Sequence, residues 1–183
     1  MKLIIASDLH GSLKYGQMLI DNFYKEKGDE LILLGDLYYH GPRNALPNGY
    51  QPMELANALN KLKDKIIAVR GNCDSEVDEM VSEFKFLDTI TIDYGIFALT
   101  LTHGHIYDQH NMPKGVGDIF LHGHTHIGFI AEQDGIIVAN PGSVTLPKGG
   151  TPRSYLTLDE KEIILKELES GLIISKRPIS RYK

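Results

Sequence analysis

Apolar residues along this chain come in short runs that end abruptly in polar clusters. Leu3 to Ala6 is the first, and it stops at Ser7-Asp8. A continuous apolar run of this length predicts a strand buried on both faces, as in a parallel sheet. Between Leu13 and Lys25 the positions Leu13, Leu19, Ile20, Phe23 and Tyr24 recur at helical spacing, and Lys27-Gly28-Asp29 supplies a stop. Leu31 to Leu34 is a second run, ending in Gly35-Asp36. Residues 38–52 carry Gly41-Pro42, Asn44, Pro47-Asn48-Gly49 and Pro52, too many turn formers for regular structure, and predict a loop beside the strand ends. Met53, Leu55, Ala56, Leu59 and Leu62 mark a second helix, and Ile66 to Val69 a third buried strand that ends in Arg70-Gly71-Asn72-Cys73-Asp74.

Ser75 or Asp74 can cap a short helix whose apolar side is Val77, Met80 and Val81. From residue 86 the pattern changes to hairpins. Thr89 to Ile92 and Ile96 to Leu101 flank Asp93-Tyr94-Gly95, and the second arm runs into His103-Gly104-His105. Phe120-Leu121 leads into His122-Gly123-His124-Thr125-His126. Ile127 to Gln133 and Ile136 to Ala139 form a further hairpin about Asp134-Gly135, closing at Asn140-Pro141-Gly142-Ser143. Ser154 to Leu158 reads as a strand. Ile163 to Leu165 and Leu172 to Ile174 read as strands about Glu169-Ser170-Gly171, with a helix over 160–169 as the competing reading. Parallel units early and hairpins late imply an α/β fold: two packed mixed β-sheets flanked by helices, in a single domain over residues 1–183.

With 183 residues, 42% hydrophobic and 23% charged, the composition is that of an ordinary globular protein. The net charge of −5 argues against a partner held by a large basic surface, such as long nucleic acid, and favours a small substrate. A single cysteine, Cys73, excludes an internal disulfide and suits a reducing compartment. The N-terminal apolar run is too short for a signal-peptide core or a membrane span, so a cytoplasmic location and no membrane partner are expected.

Five polar clusters remain, each directly after an apolar run: Asp8-x-His10, Gly35-Asp36, Gly71-Asn72-Cys73-Asp74, His103-Gly104-His105 and Gly123-His124-x-His126. Imidazole and carboxylate are metal ligands, and a Gly between crowded side chains lets the backbone turn tightly enough to aim alternate rings at one point. Taken singly, Asp8 reads as a helix cap, Asp36 and Asn72 as turn residues, and His103 as a hydrogen-bonded loop histidine. Taken together at strand ends they read as a metal site.

These motifs, in this order over roughly residues 1–147, resemble the calcineurin-like metallophosphoesterases. Within them the segments His40-Gly41-Pro42-Arg43-Asn44-Ala45-Leu46-Pro47, Gly71 to Asp78 and Asn140 to Ser143 are similar to the small YfcE-like phosphodiesterases of bacteria and archaea. The resemblance implies an α/β/β/α sandwich holding two divalent metals. Asp8, His10 and His126 would hold one, Asn72, His103 and His124 the other, with Asp36 bridging. By analogy manganese is the first choice, with Fe, Zn or Ni as alternatives. The implied reaction is hydrolysis of a small phosphodiester by a hydroxide shared between the metals.

One position departs from the family pattern. Many members carry a histidine after the asparagine, held to protonate the leaving oxygen, and Cys73 stands there in this chain. A thiol is a weaker donor, so activated aryl esters should be preferred over alkyl phosphates. Asp74 is expected to orient or cap, Arg43 to clamp phosphate with Lys148 and Arg153 as weaker choices, and His105 either to donate or carry protons or to serve a structural role. His40, His110 and His122 have no assigned role. A phosphomonoesterase or nucleotide phosphatase is a second enzyme reading. A non-catalytic scaffold like the retromer subunit of this fold is the alternative of another class. Self-association through an edge of the late strands is compatible with the sequence.

Overall fold

The computed structural model describes residues 1–179, and among these the apolar runs become the strands of two sheets. The elements in chain order are β1 (Leu3–Ala6), α1 (Leu13–Lys25), β2 (Glu30–Leu33), α2 (Pro52–Asn60), β3 (Ile66–Val69), α3 (Glu76–Val81), β4 (Phe86–Leu87), β5 (Ile90–Asp93) and β6 (Ala98–Leu101). They continue as β7 (Ile119–Leu121), β8 (Gly128–Gln133), β9 (Ile136–Pro141), β10 (Ser154–Leu158), β11 (Glu162–Glu167) and β12 (Ile173–Pro178). The first sheet has the order β12-β11-β10-β1-β2-β3-β4, parallel from β1 to β4 and antiparallel from β1 through β12. The second has the order β5-β6-β7-β9-β8, with β6, β7 and β9 parallel and antiparallel partners at each edge.

Alternation along each strand divides the interior into two apolar clusters. Ile4 and Ala6 of β1 and Leu31 and Leu33 of β2 face the helices, meeting Leu19, Ile20 and Phe23 of α1 and Leu55 and Leu59 of α2. Leu3, Ile5, Ile32 and Leu34 point the other way, onto Leu99, Leu101, Leu121 and Ile137 of the second sheet. Both faces of β1 and β2 are therefore buried, which is why their sequences are uninterrupted apolar runs. The described helices supply residues only to the first cluster. On the outer face of the second sheet, Thr100 is buried, and its hydroxyl accepts the Gly117 amide at 2.9 Å from the loop that links β6 to β7.

Several expectations change in detail. Residues 160–169 form β11 and the turn that follows it, with no helix. Ile163 and Leu165, two apart, both enter the inter-sheet cluster, and only an extended chain puts positions i and i+2 on one face. The two-residue β4 carries no periodicity to read and was not anticipated. α2 starts at Pro52, where the missing amide hydrogen costs nothing. Ser75, not Asp74, precedes α3, and its backbone amide and hydroxyl both reach the Asp78 carboxylate at 2.7 and 3.0 Å. Residues 180–183, part of the single domain expected over 1–183, lie outside the described residues. None of the described helices is long and apolar enough to cross a membrane.

Candidate metal centre

The parallel strands of both sheets end at one edge, and the loops that leave them are stitched together by backbone hydrogen bonds. Asp8 N donates to Gly35 O, His10 N to Asp36 O, Gly123 N to His103 O and Val144 N to Ser7 O, at 2.7 to 3.2 Å. The five clusters thereby come to one place. Asp8, His10, Asp36, His124 and His126 all have left-handed backbone, with φ between 46° and 67°. That conformation is costly for residues with side chains, and strain held by surrounding structure gathers at functional sites. Only Lys27 and Asp134 share it among the other described non-glycine residues.

Two glycines are required by close approach. A Cβ on Gly71 would stand 2.1 Å from Asp36 Oδ1, and one on Gly123 would stand 1.9 Å from Ser7 Oγ. Asp74 ties the same region together, accepting the backbone amides of Asp36, Leu37 and Gly71 at 2.7 to 2.8 Å. It thereby holds the backbone of the Asp36 turn. Burial outweighs those three donors and, with the Asp36 charge, lifts its pKa to about 6. Asn140 near the end of β9, and Ser143 and Thr145 just after it, do the equivalent work. Ser143 Oγ donates to Asp8 O, Thr145 Oγ1 to Leu9 O, and Asn140 Nδ2 to Gly123 O. The sequence reading gave these three no role, since what they hold is backbone.

The imidazoles are fixed in tautomer as well as in place. His10, His103 and His126 have Nδ1 at 2.6 to 2.8 Å from the carbonyl oxygens of Tyr39, Leu34 and Leu146. A carbonyl only accepts, so each Nδ1 carries a proton and Nε2 is the ring atom turned inward, whose lone pair a proton or a metal ion can take. His10 Nε2 and His126 Nε2 lie 3.3 Å apart, and Asp8 Oδ1 is 3.7 and 3.2 Å from them. His103 Nε2 faces Asn72 Oδ1 at 3.1 Å and Asp36 Oδ1 at 3.5 Å. Asp8 Oδ1 is buried without a hydrogen-bond donor. Lone pairs converging on one another around an orphaned carboxylate oxygen repel unless a cation lies between them, so the residues present suit a metal.

Ligand-capable atoms of Asp8, His10 and His126, of Asp8, Asp36 and His103, and of His10, Asp36 and Cys73 each fall within 4.8 Å of one another. His124 stands beside them, its ring 5.1 Å from that of His103 and its amide donating to Asp8 Oδ2 at 3.0 Å. All seven metal residues named from the sequence are thus gathered. Burial alone would raise the pKa of Asp8, but contacts to His10 and His126 and the His103 charge bring it well below the usual carboxylate range. Burial opposes charge on His103, yet Asp36 and Asp8 prevail and lift its pKa to about 9. His124 and His105 are pulled down, by burial first and then by His103.

The centre forms the floor of a cleft of about 720 Å³, with His10, Asp36, Asn72, His124 and His126 below and Tyr39, Arg43, Cys73 and Lys148 at its sides. Of the residues expected to clamp phosphate, Arg43 and Lys148 are among those lining the cleft. Arg153 is not: its Nε donates to Thr145 O, its NH1 pairs with Glu169 at 3.1 Å and its guanidinium stacks 4.0 Å over Tyr15. Burial, then the charges of Asp36, Asp74 and Asp8, push the Cys73 thiol up to about 12. His105 is exposed and flanks the centre, its ring 5.3 Å from His103 and 6.3 Å from His124.

Comparison with known proteins agrees with this geometry. The chain is 44% identical to phosphodiesterase YfcE of Escherichia coli over 98% of its own length and 99% of that protein. A solved structure of that E. coli phosphoesterase superposes with a TM-score of 0.95 at 40% identity, covering 98% of this chain and 100% of that one. Vacuolar protein sorting 29 from Cryptosporidium parvum shares the fold, with a TM-score of 0.66 and 20% identity over 98% and 97% of the two chains. Residues 1–162 match the family model of the calcineurin-like phosphoesterase superfamily domain, and with the ligand set assembled at the strand ends the chain belongs to that superfamily.

Proposed function

We propose that this protein is a phosphodiesterase that hydrolyses small phosphodiesters with two divalent cations, manganese the first choice and Fe, Zn or Ni the alternatives. One observation carries the reading. The Nε2 atoms of His10, His103 and His126, their Nδ1 protons directed onto carbonyls, converge with the Asp8 and Asp36 carboxylates at the floor of an open cleft. Such a mixed imidazole and carboxylate set suits those ions better than Mg²⁺ or Ca²⁺. Asp8, His10 and His126 would hold the first, Asn72, His103 and His124 the second, and Asp36 both. Cations held there supply an acidified water and neutralise phosphate oxygens during an in-line displacement.

The remaining residues bind, orient and move protons. Arg43 and Lys148, at the sides of the cleft, take the non-bridging phosphate oxygens, and the guanidinium can grip two at once. Asp74 keeps Asp36 aimed by holding its backbone. Cys73 donates its amide to Asp36 Oδ1 at 2.8 Å and presents a protonated thiol to the cleft. A thiol hands a proton to a departing oxygen less readily than an imidazolium, so esters whose leaving groups need no proton are the better substrates. His105, exposed beside His103 and His124, offers a route for protons to solvent. The name of the E. coli relative, a phosphodiesterase, supports the same substrate class.

Protein stripped with a chelator and reloaded with Mn²⁺ tests the proposal. Hydrolysis of bis(4-nitrophenyl) phosphate should vanish on stripping, return on reloading, and exceed hydrolysis of 4-nitrophenyl phosphate. Faster turnover of the monoester would favour a phosphatase. Two bound ions without hydrolysis of any ester would make the chain a binding platform.

A further inference from the structure

The polar cleft opens sideways into an apolar slot. A space of about 340 Å³ lies between the first turns of α2 and α3 and shares Tyr39, Cys73 and Ser75 with the cleft. Tyr38, Tyr39, Tyr50, Pro52, Met53 and Val77 line it. Met53 and Val77 come from different helices, face one space, and are 55% and 64% exposed. α3 is anchored below by Val81, which packs onto the first core cluster.

The aromatic walls are held in place. A Cβ on Gly11 would stand 2.5 Å from the Tyr50 ring, so that ring rests on the backbone one residue from His10. His40 sits edge-on to both Tyr39 and Tyr50, with ring centroids 4.9 and 5.3 Å away. The Tyr38 hydroxyl is engaged by Ser82 at 2.8 Å. Walls already ordered lose little entropy when a ring enters. The charge is one-sided: Asp78 lines the slot with its carboxylate engaged by Ser75, and no lysine or arginine lines it, whereas the cleft has Arg43 and Lys148. A second anionic group would be repelled here.

From this we infer that the slot receives one ester group of the phosphodiester and selects uncharged, ring-bearing alcohols. The inference rests on the phosphodiesterase reading and names its substrate class. An apolar cavity of about 150 Å³ suffices for benzene, so the slot has room for a substituted phenyl or a ring of nucleobase size.

The test uses zinc-loaded protein with phenylphosphonate and methylphosphonate, which share a phosphonate head and differ only in the ring. Calorimetry should find the phenyl compound at least about tenfold tighter, equivalent to about 1.4 kcal/mol. Val77→Glu and Met53→Glu, both at exposed positions, should each reduce that ratio toward unity. Methyl resonances of Met53 and Val77 should shift with phenylphosphonate and stay in place with methylphosphonate. Equal affinities in the unaltered protein, or a phenyl advantage that survives both substitutions, would overturn the slot while leaving the phosphodiesterase reading intact. If neither phosphonate binds, the slot is overturned as well, while the phosphodiesterase reading stands or falls separately on hydrolysis of bis(4-nitrophenyl) phosphate.

Discussion

The two halves of the centre are built differently. Asp8, His10 and His126 are sealed in, at 0%, 1% and 3% exposure. On the other side only His103 is buried, while Asn72 is exposed and His124 partly so. The sealed half belongs to the interior of the fold: its loops bond to the turn after β2 and to the turn after β9, and Asp8 Oδ1 is buried without a hydrogen-bond donor. The open half faces the cleft from which substrate arrives. A cation in the sealed half satisfies groups the fold has already desolvated, whereas one in the open half exchanges with water. If two ions bind as proposed, their affinities should be unequal, the tighter in the sealed half.

The largest effect should come from Asp8→Asn, which keeps the shape of the side chain and removes its charge. Loss of a group that merely orients a ligand commonly costs about 10 to 100-fold, and loss of the charge of a ligand itself should cost more. We expect hydrolysis of bis(4-nitrophenyl) phosphate to fall by at least about 10³-fold and metal content to drop to one ion or none. Two retained ions by elemental analysis would break the comparison.

A smaller effect, about 10²-fold in turnover, is expected of Asn72→Ala and of His124→Ala. Both variants should keep one tightly bound ion and the melting temperature of the parent, because the side chains removed are on the open side. Loss of both ions from either variant would show that the halves are not independent.

The smallest effect is a graded response to pH. The contacts of His103 with Asp36 and Asp8 lift its pKa to about 9, so its ring is charged at neutral pH when no metal is bound. A raised pKa stabilises the fold fully below the ordinary value of about 6.5, and that contribution is lost as pH rises through about 9. The melting temperature of chelator-treated protein should therefore fall across this window, while that of metal-loaded protein should not. Over the same range the apparent association constant for Mn²⁺ should grow about tenfold per pH unit for each proton displaced. Identical melting profiles with and without metal would count against a His103 proton competing with the ion.

The candidate ligands were legible because their clusters follow apolar runs directly, and a parallel strand buried on both faces has nowhere else to put a carboxylate or imidazole than at its end. Much of the site had no such signal. The carbonyls of Tyr39, Leu34 and Leu146 that set the tautomers are backbone atoms present in every residue. Arg153 was a weaker choice for phosphate than Arg43 but could not be set aside from the sequence, and the position of Tyr15 and Glu169 across the fold diverts it. Residues 160–169 were ambiguous because a short apolar triplet satisfies helix and strand equally until a partner strand exists.

From the sequence alone came the rhythm of strands, the chemistry of the seven candidate ligands and the lone thiol beside them, because burial on both faces and metal affinity are properties of residue type and order. Which nitrogen each ring presents, which arginine is free, how deeply each half is sealed, and that the 38–52 loop meets α3 to form an apolar slot were decided only by tertiary packing. These depend on groups far apart in the chain meeting across two sheets, and no local pattern of residues encodes such a meeting.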